Sequence, residues 1–590
     1  MGSTRMIFKY LAKSRREFIL SAVFQTISII LALFIPIFTG RMVGGLVGPT
    51  LITGSDLFFN FFMIILFAIL SYISTRTGRL KGSVVASAAA YNLRMDINNA
   101  IYRQSFSYFD KTEIGQLVAR ATSDVEETQG IFGMGFNMGL QGTIQMVGVI
   151  FATIFIGPQL ALIFIIIIPI SLILSLILTK KMKPIYYETR ESFGELTNTI
   201  RENIIGAQVV RMFSNQDKER QKFYDNNKRF YNASVQTAKL NSLIMPLNYV
   251  IIGLTTVGVL LFGGILVIQG AMELEILVTF QGYVGIIMFP LVMWGQIMMM
   301  YVQADAALSR IREVIESTPD VKDIRGAIPI SSMKGDVKFE NVSFGYTSEH
   351  RVLKDVTFEI PAGKKLAILG TTGSGKSTII NLLPRFYEVN EGIIKIDDKN
   401  IKQYLLKDLR KNIGIVSQET FLFNKSIGEN IAFGVENATQ EEIESAAKVA
   451  NLHEFILSLP KGYDSVVGER GTRLSGGQKQ RLSIARAIIV KPKILIFDDS
   501  TSSVDVETEF KIQNALERIM KGTTTLIITQ RISTIRNVDS ILVLDKGRVV
   551  GIGTHEDLIN SNVLYKQIYE TLFQKQKPGT QKKEAVKGGI

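Results

Sequence analysis

Gly370-Thr371-Thr372-Gly373-Ser374-Gly375-Lys376-Ser377-Thr378 follows directly on the apolar run Leu366 to Leu369 and opens into helix-compatible sequence that continues to Leu383. The spacing G-x-x-x-x-G-K-[ST] between a strand and a helix is that of a phosphate-binding loop. Successive backbone N–H groups must curl around a polyphosphate, so a Cβ at the glycine positions would block the approach. Lys376 is placed to reach the β- and γ-phosphates, Ser377 offers a hydroxyl to Mg²⁺, and the helix from Thr378 points its N-terminus at the anion. Chance alone gives this pattern in roughly a few per cent of chains of this length. The flanking strand and helix set the present case apart.

The surrounding sequence supplies matching parts. Lys493-Ile-Leu-Ile-Phe-Asp498 is a buried-strand pattern ending in a carboxylate, the second Mg²⁺-holding element that a phosphate loop requires. Ile413-Gly-Ile-Val-Ser-Gln418 is a strand ending in an amide suited to a Mg²⁺ or water contact. Tyr346 ends the run beginning at Val337, one strand hairpin before the loop, where its ring can stack on adenine or pack in the core. Leu474-Ser475-Gly476-Gly477-Gln478 opens the helix Lys479 to Ile489 and is a second anion site. One phosphate loop does not need two, so this second site is expected to serve a nucleotide held by another subunit.

At 590 residues the chain is too long for one core, and 47% of it is hydrophobic. Six runs are long enough to cross a bilayer, which takes about 20 residues. They lie near Phe18 to Phe38, Leu57 to Ser74, Met138 to Ile156, Leu160 to Leu178, Leu243 to Ile268 and Leu277 to Val302, with interiors free of Asp, Glu, Lys and Arg. The first lacks a small-residue cleavage site and reads as a retained anchor. No cysteine is present, which excludes disulfides, thiolate metal sites and a cysteine nucleophile; three histidines make a histidine metal site a poor reading. The net charge of +13 fits Lys and Arg retained beside anionic lipid rather than nucleic acid.

Arg76, Arg79, Lys81, Arg94, Arg103, Lys180, Lys181 and Lys183 sit in the long connectors, whereas Gly157-Pro158-Gln159 and the segment with Glu273 and Glu275 are short links. The positive-inside rule puts the long connectors and both termini in the cytoplasm of a multi-pass protein of the cytoplasmic membrane. These connectors are helix-compatible over ~30 residues on each side of their midpoints, enough to carry helices roughly 40 Å past the bilayer. Their turning points, Gly115 to Val125 and Arg201 to Arg211, each combine a glycine break, a short apolar face and flanking charges. Gln25, Gln141, Gln145, Asn248, Gln281, Trp294, Gln296, Met288, Met293 and Met298 to Met300 are candidates to line a substrate cavity or to pack helix on helix.

On Tyr346, Gly370 to Thr378, Gln418, Leu474 to Gln478, Asp498 and Ser503-Val504-Asp505, in that order, the chain resembles a half-transporter of the ATP-binding cassette exporter family over nearly its whole length. The resemblance implies an all-α six-helix transmembrane domain over residues 1–313, a linker at 314–335, an α/β P-loop nucleotide-binding domain at 336–574 and a basic tail at 575–590. It further implies ATP and Mg²⁺ as ligands and a head-to-tail pair of ATPase domains. In that pair, Ser475, Gly476, Gly477 and Gln478 complete the partner's site, and helices near Gly115 and Gly206 couple closure to the spans.

Two positions depart from the family pattern. Asp499 stands where hydrolytic sites carry Glu, and Gln530 where a histidine contacts the γ-phosphate; His350, His453 and His555 lie elsewhere. The expectation is therefore a heterodimer that exports small amphipathic or hydrophobic compounds and hydrolyses ATP mainly at the partner's loop. A membrane sensor that binds ATP without net transport is the competing expectation. An importer is disfavoured because its membrane and ATPase parts usually occupy separate chains. The tail Lys575 to Lys587 is expected to be dispensable for ATPase activity.

Overall fold

The computed structural model describes residues 3–47, 53–347, 349–499 and 520–576. It divides into two compact units, Met1–Arg103 with Glu113–Ser317, and Gln104–Thr112 with Thr318–Ile590.

The first unit is helical. Six helices are long and apolar enough to cross a membrane: Arg15–Val47, Gly54–Arg103, Ile114–Ile156, Pro158–Ile205, Gln216–Ile268 and Leu274–Glu316. Charge-free Leu, Ile and Phe runs suit helices in lipid because every backbone N–H and C=O is satisfied within the segment. The 50 residues of Gly54–Arg103 span about 75 Å, more than twice the ~30 Å hydrocarbon core, so the helix continues far past its apolar part. Phe164, Phe280, Tyr283, Ile287 and Leu291 form the buried centre, with Phe164 and Phe280 edge to face at 5.8 Å. Gly282 lets the last long helix lie against Pro36 of the first; a Cβ there would sit 2.7 Å from the proline Cβ.

The third of these helices is interrupted by a π-helical turn, Ile131–Gly135. Gly133 lies in this turn, and a Cβ on it would fall 3.0 Å from the Ala86 methyl, so the turn packs closely on Gly54–Arg103. Such turns put one residue out of step and often mark functional segments. Just before it, Arg310 grips Asp124 through both carboxylate oxygens, at 3.0 and 2.5 Å. The Asp124 side chain is 9% exposed and that of Arg310 45%. Arg310→Met therefore strands a buried carboxylate, whereas Asp124→Asn leaves Arg310 with water and with Glu127 at 3.7 Å. Thermal unfolding in detergent should show the first variant less stable by about 2 kcal/mol and the second by under about 1 kcal/mol, after allowing for solvent around Arg310.

The second unit is α/β. One sheet is antiparallel, in the order β2-β1-β4-β5, with β1 Val337–Phe344, β2 Leu353–Ile360, β4 Glu391–Ile396 and β5 Lys399–Asn400. The other runs β10-β9-β3-β8-β7-β6, from β3 Lys365–Gly370, β6 Ile413–Val416, β7 Ile494–Asp499, β8 Thr524–Thr529, β9 Ser540–Asp545 and β10 Arg548–Gly553. Strands β9, β3, β8, β7 and β6 are mutually parallel. β8 is buried along its whole length, as expected of a strand covered on both faces. The main core joins the two sheets through Phe339, Phe358, Leu366, Ile368, Ile379 and Leu382. A second cluster holds the helical part around Leu422, Ile431, Ala447 and Leu482.

Residues 318–336 are fixed to this unit. Asp397 accepts from the backbone N–H groups of Lys334, Gly335 and Asp336 at 2.8 to 2.9 Å, Ile328 bridges to Tyr404, and Met333 is in the core. The short helix Phe106–Lys111 also belongs here, although the sequence places it between the second and third long helices. Around Gly115 the chain forms helix Ile114–Ala121 within the first unit, where Leu117 is buried. The glycine break and amphipathic face were real signals for a short helix; the ring of Phe106, eight residues upstream, is what seats a helix on the ATPase unit. Around Gly206 the chain turns into helix Ala207–Met212, whose Val209 and Met212 are exposed.

Candidate nucleotide site

Parallel strands deliver their C-terminal ends to one edge of a sheet, where ligands of α/β folds bind. Because β3, β8, β7 and β6 are neighbours, the loop after β3, Gln530 after β8, Asp498 and Asp499 at the end of β7, and Gln418 after β6 all emerge at that edge. The register pairs Asp498 with Ile528 and Asp499 with Thr529. Residues 160 apart in sequence are thus brought together by strand order.

The loop itself is preformed. Gly373 and Gly375 have φ of +79° and +103°, and a Cβ on Gly375 would lie 2.6 Å from the Leu353 methyl. On Gly370 it would collide with the carbonyl of Leu544. Lys376 Nζ donates to the carbonyls of Gly370 (3.0 Å) and Thr371 (2.8 Å). Burial lowers its pKa, and the nearby Asp498 carboxylate opposes that shift. The Ser374 hydroxyl is buried with no hydrogen-bond partner among the described residues. A Cβ-free cradle, an orphaned hydroxyl and a desolvated amine fit a polyphosphate. Thr371, Gly373 and Ser377 lie in the loop and at the start of helix Lys376–Leu382, and Thr378 is buried in its first turn. Ser377, Asp498 and Gln418 are the residues that would hold Mg²⁺, which supplies charge neutralisation of the phosphates when bound.

Tyr346 is 43% exposed, with its hydroxyl 3.3 Å from Thr378 Oγ1 and its edges against Phe344 and Tyr387. Gln418 and Gln530 are exposed at their strand ends. For Asp499 the described part is its backbone at the end of β7. Ser503, Val504 and Asp505 lie outside the described residues.

Ser475 starts helix Gly476–Ile488 with a capping box, accepting from the Gln478 N–H while Gln478 Oε1 accepts from the Ser475 N–H at 2.8 Å. Ser475 and Gly476 are exposed at the start of the helix, whereas Gly477 is buried. This helix packs in the cluster that includes Leu482, beside edge strand β6 and three strand spacings, ~14 Å, from β3.

Sequence reasoning missed Tyr387, Asp397 and helix Phe106–Lys111. The adjacent aromatics Phe386-Tyr387, just beyond the phosphate-loop helix, were the available signal for the first.

Comparison with known proteins agrees with this architecture. Residues 18–291 match the ABC transporter transmembrane region, and residues 353–502 match the ABC transporter domain. The chain is 38% identical over 493 residues to the uncharacterized ABC transporter ATP-binding protein YknU of Bacillus subtilis, covering 83% of this chain and 84% of that protein. It is 35% identical over 497 residues to the ATP-dependent lipid A-core flippase of Syntrophus aciditrophicus, covering 84% and 82%. A bacterial Atm1-family ABC exporter solved with ATP bound superposes with a TM-score of 0.82 at 26% identity, over 96% of this chain and 99% of that one. With its apolar helices followed by an ATPase domain whose phosphate loop is intact, the chain belongs to the ABC transporter family, as an exporter-type half-transporter whose ATPase is coupled to transport.

Proposed function

We propose that this chain is one half of a heterodimer that uses ATP to export amphipathic or hydrophobic compounds, drug-like or lipid-like, from a cytoplasm that contains both termini and the ATPase unit. The observation that carries the reading is an asymmetry within one chain. The phosphate loop and the Ser475 cap are complete, while Asp499 stands in place of the glutamate, and Gln530 in place of the histidine, that the family's hydrolytic sites carry. Glu to Asp retracts the carboxylate by one methylene, about 1.5 Å, and misplacing a reacting group by ~1 Å costs on the order of 10²-fold. Gln530 retains an N–H donor but has no imidazole to exchange a proton. Nucleotide is held at this loop and turned over slowly, and Ser475 to Gln478 complete a fast site on a different chain.

An amphipathic substrate is favoured by the interior of the first unit. A cavity of about 530 Å³ is lined by Ala86, Met134 and Met138 together with Gln141 and the charged Arg79 and Glu126. Gln145 Oε1, Gln281 Oε1 and Trp294 Nε1 are buried without partners among the described residues. Gln25 serves packing instead, bonded to Asn137 at 2.6 Å. The lipid A-core flippase among the relatives points the same way. Reconstitution with the partner subunit in proteoliposomes should give substrate-stimulated ATPase and uphill efflux. ATP binding without either would favour the sensor.

A further inference from the structure

Helix Phe106–Lys111 makes several side-chain contacts within the ATPase unit, including a tilted approach of Phe106 to Tyr387 at 6.3 Å. Phe106 stacks on Phe386 with ring centroids 4.1 Å apart, the Ser107 hydroxyl donates to Asp320 at 2.6 Å, and the Tyr387 hydroxyl donates to Asp110 Oδ2 at 2.7 Å. Tyr387 in turn stands edge-on to Tyr346, centroids 5.2 Å apart at 89°. Burial, with Asp110 as acceptor, pushes the Tyr387 pKa up, so its hydroxyl remains a donor. Of the contacts on Tyr346, Phe344 ends strand β1 two residues before it and Thr378 belongs to the phosphate-loop helix. Tyr387 is the third, and its hydroxyl is fixed by Asp110. A cavity of about 440 Å³ opens at this point, lined by Tyr346, Tyr387, Ser107, Asp110, Asp320 and Asn390.

We propose that Asp110 and Tyr387 are positioning residues for the nucleobase: Asp110 orients Tyr387, Tyr387 sets the plane of Tyr346, and the segment between the second and third long helices thereby forms a wall of the adenine pocket. The inference rests on Tyr346 as the base-stacking ring. It does not depend on the heterodimer. Stacking aligns only when the platform is held in advance, so an unheld ring samples orientations in which the base binds poorly. Linkage makes the effect mutual: base binding favours the seated helix as much as the seated helix favours the base.

The test is equilibrium displacement of a fluorescent ATP analogue from the purified full-length chain, with ATP and with inorganic tripolyphosphate as competitors. Tyr387→Phe and Asp110→Ala should each weaken ATP by about 3- to 10-fold and leave tripolyphosphate unchanged. The double variant should be no weaker than the worse single one, because both remove the same hydrogen bond. Asp110→Asn, whose amide oxygen still accepts, should bind ATP like the parent chain. Unchanged ATP affinity in both single variants, or an equal loss for tripolyphosphate, overturns the proposal. Tyr346→Ala is the control and should erase the advantage of ATP over tripolyphosphate. If it does not, the platform assignment falls and the proposal with it; if it does while the other variants bind ATP normally, the proposal alone falls.

Discussion

Ser475→Arg in this chain, assembled with its partner half-transporter, lowers ATP turnover by at least about 100-fold, whereas Asp499→Asn in the same assembly lowers it by less than about threefold. The first figure follows from the role proposed for the cap. Its amides face a nucleotide held elsewhere, and preorganised donors at developing charge are worth on the order of 10²- to 10³-fold in rate. A guanidinium in place of the small hydroxyl also breaks the capping box with Gln478 and fills the exposed helix end. The second figure follows from a site already slow: if Asp499 polarises water poorly, its removal costs little. Steady-state phosphate release from the purified complex reads both. Should the isolated chain hydrolyse ATP at a typical transporter rate and Asp499→Asn eliminate it, the asymmetric assembly is wrong and the chain runs its own site.

Gly375→Ala weakens ATP binding at this chain's loop by about 100-fold, while Gly373→Asn changes it by less than about fivefold. Both glycines are left-handed, but their surroundings differ. At Gly373 no atom lies within 4 Å of an added Cβ, and Asn enters this region more readily than other side chains. At Gly375 the φ of +103° is strained for alanine, and the new methyl meets Leu353 at 2.6 Å and the Val352 carbonyl at 3.4 Å. Left-handed strain of about 1–2 kcal/mol and overpacking of about 1–3 kcal/mol depopulate the binding-competent loop, and apparent affinity falls with that population. Photolabelling of the full-length chain with an azido-ATP, titrated by unlabelled ATP, measures the shift. Equal losses in the two variants would show that loop shape does not limit binding.

The membrane helices and the phosphate loop were legible because each rests on a local rule. Charge-free runs of about 20 residues have few soluble explanations, and the glycines of Gly370 to Gly375 announce their own backbone. Gln418 and Asp498 were legible as polar ends of apolar strand patterns, and Gln530 only through the family pattern. Their convergence depends on β3, β8, β7 and β6 being neighbours, a non-local fact with no local pattern. Helix Phe106–Lys111 escaped because six residues carry little periodicity, and its signal was weaker than that of Ile114–Ala121. Asp397 was equally silent. A carboxylate in a turn looks like surface until three backbone N–H groups are seen to converge on it.

The placement of residues 104–112 bears on how this protein can be cut. A fragment beginning at Thr318 carries every element of the ATPase sheet, yet it lacks the ring that stacks on Phe386 and the carboxylate that receives the Tyr387 hydroxyl. Such a fragment presents two adjacent aromatic side chains to water next to Tyr346, a sticky patch that the intact chain covers. Solubility trials on the excised domain therefore report partly on a surface created by the scissors. Supplying residues 104–112 as a separate peptide is the simplest way to tell the two contributions apart.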